Sequence, residues 1–164
     1  MKYFAYGSNM SLARLRARVP SATSLGCHRL LGHDLRYHKA GQDGSGKCDA
    51  FFTGRAEDVV YGVLFEMDAK DKPALDAAEG LGVGYDAKQV SVKDAQGGVH
   101  TALTYIALRI DTRCQPYDWY LHHVQVGAAE ALLPAAYVAQ KIVAVQAIDD
   151  PDTQRDAEQR AIHD

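Results

Sequence analysis

The sequence predicts an α+β fold with an antiparallel or mixed sheet able to curl into a small barrel. Strand-like segments dominate the first two thirds of the chain, and helical ones the last third. At 164 residues, 47% of them hydrophobic, the chain can bury one sizeable core but is too short for a second independent domain.

The elements follow in order. Residues 2–6 are rich in aromatics, as strands are, and Leu12, Leu15 and Val19 then recur as one face of a short helix that Pro20 ends. Residues 24–36 read as an irregular strand. The stretch YHKAGQDGSGKCDA after them, with three glycines and no periodicity, reads as a loop of the kind that is functional or mobile. Residues 51–53 and 58–67 are expected to pair as strands, and residues 68–78 to form a helix begun by Asp68 or Asp71. YDAKQVSVK and VHTALTYIAL form a hairpin about Gln96-Gly97-Gly98. One closing helix carries Tyr117, Tyr120, Leu121, Val124 and Ala128, and another starts at Pro134. Residues 1–148 make up the domain, and residues 149–164 an acidic tail expected to be flexible.

Charge narrows the partners. The chain carries 18 basic and 21 acidic residues, a net −3, and the tail alone, with six acidic and two basic residues, holds −4, which leaves the body at +1. That balance provides no footprint for nucleic acid or an anionic membrane surface. No apolar run is long enough for a signal peptide or a membrane span, so the expected location is cytoplasmic. Cys27, Cys48 and Cys114, odd in number and without C-x-x-C spacing, are expected to be free thiols.

Two stretches could carry chemistry. In KYFAYGSNM, Gly7, Ser8 and Asn9 stand where a strand gives way to a helix, whose first amides lack partners and can hold a small anion. Asn9 or Ser11 could equally be only the helix cap, and Tyr3, Phe4 and Tyr6 ordinary sheet aromatics. In LDAAEGLGVGY, Glu79 ends an apolar helical stretch just before Gly80, Gly82 and Gly84; a negative charge there opposes the helix dipole, although a solvated glutamate would also fit. The histidines show no metal-ligand spacing: His122 and His123 are adjacent, and His28, His33 and His38 lie on no common regular face. Neither a metal nor a cofactor is expected. GSNMSLAR lacks the phosphate-binding glycine patterns, and Ser8 lacks the G-x-S-x-G elbow of a nucleophile.

Taken together, YFAYGSNM, LDAAEGLGVGY and PYDWYLHHVQVGA resemble the gamma-glutamylcyclotransferase family, also called the AIG2-like or butirosin BtrG-like superfamily, in order and spacing over about residues 2–148. The resemblance implies a small mixed, mostly antiparallel β-barrel with flanking helices. It also implies conversion of a gamma-glutamyl amide into 5-oxoproline and a free amine. By the same resemblance the run Tyr3, Phe4, Ala5, Tyr6, Gly7, Ser8 lines the substrate site, with Gly7, Ser8 and Asn9 on the α-carboxylate and Tyr120 closing the pocket from the helical side. The family's catalytic carboxylate falls on Glu79, as general acid and base. Asn9 points away from the glutathione-directed branch, which carries a different residue after Y-G-S.

That role makes a physical demand. A reference glutamate at ~4.3 lies almost four units below an α-amino group at ~8, a mismatch of about 5 kcal/mol, so Glu79 is expected to be buried with a raised pKa. The partner implied is a small-molecule gamma-glutamyl substrate. Its leaving amine stays open among an amino acid, a peptide, a polyamine, a lysine ε-amine and a natural-product intermediate. The helix faces are compatible with internal packing or with a homodimer. A non-catalytic metabolite-binding module of the same fold is the competing reading, and the presence of Glu79 with its Gly80 favours the enzyme.

Overall fold

Residues 3–5 show no polar and apolar alternation, so the strand they form must be covered on both faces. A computed structural model describes residues 1–164. The chain runs β1 (Lys2–Ala5), α1 (Leu12–Arg16), β2 (Thr23–Leu31), β3 (His33–Ala40), β4 (Gly46–Phe52), β5 (Val59–Glu66), α2 (Lys72–Glu79), β6 (Tyr85–Lys93), β7 (Val99–Ala107), α3 (Asp118–Glu130), α4 (Ala135–Val138) and α5 (Thr153–Arg160). Five strands close a barrel in the order β1-β5-β2-β6-β7. Its seams are antiparallel except β1–β7, which meet in parallel at Tyr3 and Leu103. The expected mixed, mostly antiparallel barrel with flanking helices is therefore the architecture found. No helix is long and apolar enough to cross a membrane.

The β6–β7 hairpin keeps register from Tyr85 opposite Ala107 to Lys93 opposite Val99. Its turn is held by Asp94, whose Oδ1 accepts from the amides of Gln96 and Gly98 at 3.0 and 2.7 Å. Phe4, Leu15, Leu64, Phe65 and Val92 lie at the centre of the core, each fully buried. At the barrel's end α3 packs directly on the short 3-10 turn Ser8–Met10. A Cβ placed on Gly127 would come within 2.4 Å of Met10 Cβ and of the Ser11 amide nitrogen, so only glycine allows that approach.

Two regions differ from the sequence reading. The expected loop after Arg36 is largely a ribbon, β3 paired with β4, with Gly41 and Gly44 confined to its tip. Residues 51–52 accordingly pair with β3 (Asp34 opposite Phe51) and not with β5. Periodicity failed here because parts of both ribbon faces are covered. Leu35, His38, Lys39, Cys48, Asp49 and Ala50 are all buried, so apolar and polar types do not alternate. Asp49 pins the ribbon to the barrel, accepting from the Ala107 amide at 2.9 Å while its other oxygen meets His38 Nε2 at 2.7 Å.

The acidic tail, expected to be flexible, instead forms α5 and docks on α3. Its anchor is Asp150, 6% exposed. The carboxylate of Asp150 accepts from Trp119 Nε1 at 2.8 Å and from Arg155 Nε and Nη2, both at 2.6 Å. Composition registers the tail's charge but not this pairing. The Arg155 guanidinium, with Trp119 and the Asp152 amide, holds the Asp150 carboxyl well below the usual aspartate range. A depressed carboxyl contributes stability that is present above its unfolded pKa and is lost as pH falls through the folded one. Trp119 is the chain's single tryptophan, so its emission reports this docking. Asp150→Asn is expected to red-shift Trp119 emission at neutral pH, and the parent to keep its docked spectrum until the pH falls below the ordinary aspartate range. An unshifted variant spectrum would show that Asp150 does not hold the tail.

Candidate active site

The site begins where β1 leaves the sheet. The Gly7 backbone, at φ −119° and ψ −138°, belongs to neither the helical nor the strand region. What demands glycine is space: a Cβ there would lie 2.8 Å from Cys48 Cβ and 3.2 Å from Tyr120 Oη. The chain then tightens into the 3-10 turn, and the N–H groups of Gly7, Ser8 and Asn9 donate to no acceptor within the protein. The N-cap of α1 is Ser11, whose Oγ accepts from the Arg14 amide at 3.3 Å, so Asn9 is free of that duty. Ser8 Oγ accepts from Arg14 Nε at 3.1 Å, which leaves the Ser8 O–H as a donor. Arg14 is braced in turn by the tail, donating from Nη1 to Gln159 Oε1 of α5 at 2.6 Å. Beside it His123 is held neutral, pushed down to about 3 by burial and then by the Arg14 charge.

Glu79 enters from the other side. It is the last residue of α2, which Gly80 closes in the left-handed region at φ 65°, its amide and that of Leu81 returning to the carbonyls of Ala77 and Asp76. This reversal turns Glu79 towards the Gly7–Asn9 turn. Asn9 Nδ2 donates to Glu79 Oε1 at 2.7 Å and to Tyr3 Oη at 3.1 Å, using both amide hydrogens. Arg18 Nη1 donates to Asn9 Oδ1 at 3.1 Å and stands 3.9 Å from Glu79 Oε1. The Glu79 side chain is 14% exposed. Burial raises its pKa, and the opposing pull of Arg18, Arg14, Asn9 and Lys39 does not cancel that rise. A largely buried carboxyl and a pKa raised by burial, both expected of Glu79, are found.

Of the residues expected here, Tyr3, Tyr6, Gly7, Ser8, Asn9, Glu79 and Tyr120 line one narrow cavity of about 30 Å³. Phe4 and Ala5 do not: both are buried in the core, Phe4 against Gly62 of β5. Tyr85, Tyr105 and Cys48 complete the lining. Sequence reasoning missed them, because each is one of several strand residues of its type and only pairing brings them to one place. Tyr85 Oη donates to the Cys48 carbonyl at 2.7 Å, and the Cys48 amide donates to Tyr120 Oη at 2.9 Å. Burial pushes the Cys48 thiol up to about 12, so it is no nucleophile at neutral pH. Burial likewise keeps Tyr85 and Tyr120 as neutral phenols.

Glu79 also borders a larger groove of about 570 Å³, lined by Lys39, Lys47, Arg109 and Arg155 with Asp43 as the other acid. Lys39 is 8% exposed, lies with its Nζ 4.8 Å over the Tyr85 ring, and forms no ion pair. Burial lowers its pKa and the nearby Glu79 opposes the shift.

Comparison with known proteins identifies the family. Residues 59–140 match the model of the AIG2-like family. A gamma-glutamylcyclotransferase of Homo sapiens is 30% identical over 152 residues, spanning 90% of this chain and 79% of that protein. One from Bos taurus is 29% identical over 82% of this chain and 73% of its own length. A solved gamma-glutamyl cyclotransferase superposes with a TM-score of 0.87 at 26% identity, covering 99% of this chain and 98% of that one. With its barrel, its Gly7–Asn9 turn and its buried carboxylate described, the chain belongs to the AIG2-like, gamma-glutamylcyclotransferase family of enzymes.

Proposed function

We propose that the protein cyclises a gamma-glutamyl amide to 5-oxoproline and a free amine, with Glu79 as general acid and base. The observation that carries this reading is a carboxylate of raised pKa facing three unsatisfied backbone amides across one narrow cavity. The free N–H groups of Gly7, Ser8 and Asn9 and the Ser8 hydroxyl suit the glutamyl α-carboxylate. Glu79 takes one proton from the substrate's α-ammonium. The freed amine then attacks the γ-carbonyl carbon, closing a five-membered ring. As the tetrahedral intermediate collapses, Glu79 returns its proton to the departing nitrogen and the original C–N bond breaks. The second ring-nitrogen proton leaves with the amine, so no water and no net proton is consumed. An attack within one molecule needs folding of the substrate and proton transfer, with no protein nucleophile. The protonated Cys48 and the donor role of Ser8 agree with that.

The cationic groove beside Glu79 supports a leaving amine that itself bears a carboxylate, an amino acid or short peptide, over a polyamine. A cation buried without an ion pair, as Lys39 is, gains most from an anionic partner.

Release of 5-oxoproline from gamma-glutamyl-alanine tests the first claim. Glu79→Gln is expected to lower kcat by about 10²–10⁴-fold, the usual span of general acid–base catalysis, with substrate binding retained in calorimetry. The acid limb of kcat/KM should lie above the ordinary glutamate value of 4.5, and Arg18→Met should move it higher by removing a charge that lowers the Glu79 pKa. A limb that stays put in Arg18→Met would assign it to another group. Binding without turnover in the parent would make this member a ligand-binding module.

For the groove, Lys39→Gln is expected to raise KM for gamma-glutamyl-alanine by about tenfold or more, the loss of one charged hydrogen bond. It should leave the gamma-glutamyl amide of methylamine nearly unchanged. Equal losses on both substrates would place Lys39 on the glutamyl end.

A further inference from the structure

At the opposite end of the β6–β7 hairpin from Tyr85, the fold gathers three side chains that the mechanism does not use: His28 of β2, Asp94 at the β6–β7 turn and His100 of β7. One ligand-capable atom from each lies within 4.8 Å of the others. We propose that these residues form a binding site for a first-row divalent cation of the Zn²⁺ class.

Two of the ligands are already oriented. His28 is 6% exposed, and its Nδ1 is 3.0 Å from the Gly26 carbonyl, which can only accept, so Nδ1 carries the hydrogen and Nε2 presents its lone pair. A backbone carbonyl on the far ring nitrogen is the usual support of a metal-bound imidazole. Asp94 is fixed through Oδ1 by the amides of Gln96 and Gly98 while Oδ2 faces His100 Nε2 at 3.1 Å. At Zn–N distances of about 2.0–2.1 Å, tetrahedral ligand atoms stand about 3.3 Å apart and two bound imidazole centroids about 5.2 Å apart. The His28 and His100 centroids are 5.3 Å apart, with the rings inclined at 74°. Two imidazoles and a carboxylate are a donor set for Zn²⁺ and its neighbours, not for Ca²⁺ or Mg²⁺. A cavity of about 380 Å³ bordered by His28 and Asp94 leaves room for a water at the fourth position.

Arg29 and Lys93 border the same cavity, and one further cation opposes the ion directly. Lys2 Nζ lies 3.3 Å from His100 Nδ1 and, being a donor only, leaves the His100 hydrogen on Nε2, pointed at Asp94. Metal binding through Nε2 must shift that hydrogen to Nδ1 and turn Lys2 aside. The location also assigns a consequence. β2 and β6 are paired through Arg29 and Lys93 alone, and His28 and Asp94 are the chain neighbours of that pair. An ion there would staple the barrel's thinnest antiparallel seam.

Titration of the full chain with Zn²⁺ by calorimetry, and with Co²⁺ by visible absorption, tests the site. Expected are one-to-one binding, four-coordinate Co²⁺ bands and a metal-dependent rise in Tm. Affinity should fall by more than about 100-fold in His100→Gln and Asp94→Asn, beyond what loss of a supporting contact costs. Lys2→Met removes no ligand and should tighten binding by several-fold, so the test holds even where a ligand variant misfolds. No binding in the parent, binding that survives both ligand substitutions, or an unimproved Lys2→Met would overturn the assignment.

Discussion

The hydrogen bond from Asn9 to Glu79 spans 70 residues of chain, and the site depends on it. A carboxylate taken largely out of water must find dipoles in the protein, and the turn after β1 supplies them. The turn can sit there because Gly7 clears Cys48 and Tyr120 and because Gly127 lets α3 press on Met10. The carboxylate can reach it because Gly80 ends α2 one residue after Glu79. The barrel brings these pieces together by pairing β1, which leads into the turn, with β5, which leads into α2.

Electrostatics divides the site in two. In the narrow cavity burial dominates: the phenols of Tyr85 and Tyr120 and the thiol of Cys48 are held neutral, and Glu79 is the acidic group left to exchange a proton. In the groove outside, positive charge dominates, and the β3–β4 ribbon provides it through Lys39 and Lys47. The tail adds Arg155 to that groove while its Gln159 supports Arg14 behind Ser8. A segment that composition marks as a solvated appendage is thus part of the wall around the site.

The legible parts of the fold are those with strong local signals. The β6–β7 hairpin announces itself by strand-forming types on both sides of Gln96-Gly97-Gly98, and α3 by the spacing of Tyr120, Leu121, Val124 and Ala128. The ribbon was not legible, since the burial of His38, Lys39 and Asp49 among apolar neighbours erases alternation. Nor was the tail's docking, which turns on one carboxylate finding one indole and one guanidinium. The family resemblance assigns Phe4 and Ala5 to the site with the rest of the run, whereas the strand that carries them gives both side chains to the core.

By itself the sequence determined the fold class, the family and the identity of Ser8, Asn9 and Glu79 as the groups to watch, because residue types and spacing along the chain carry those signals. Only the tertiary structure decided what surrounds them. The raised pKa of Glu79, the inert Cys48, the unpaired Lys39 and the meeting of His28 with Asp94 and His100 all arise from groups distant in sequence. Desolvation and Coulomb interaction depend on distance in space, which no local pattern of residues encodes.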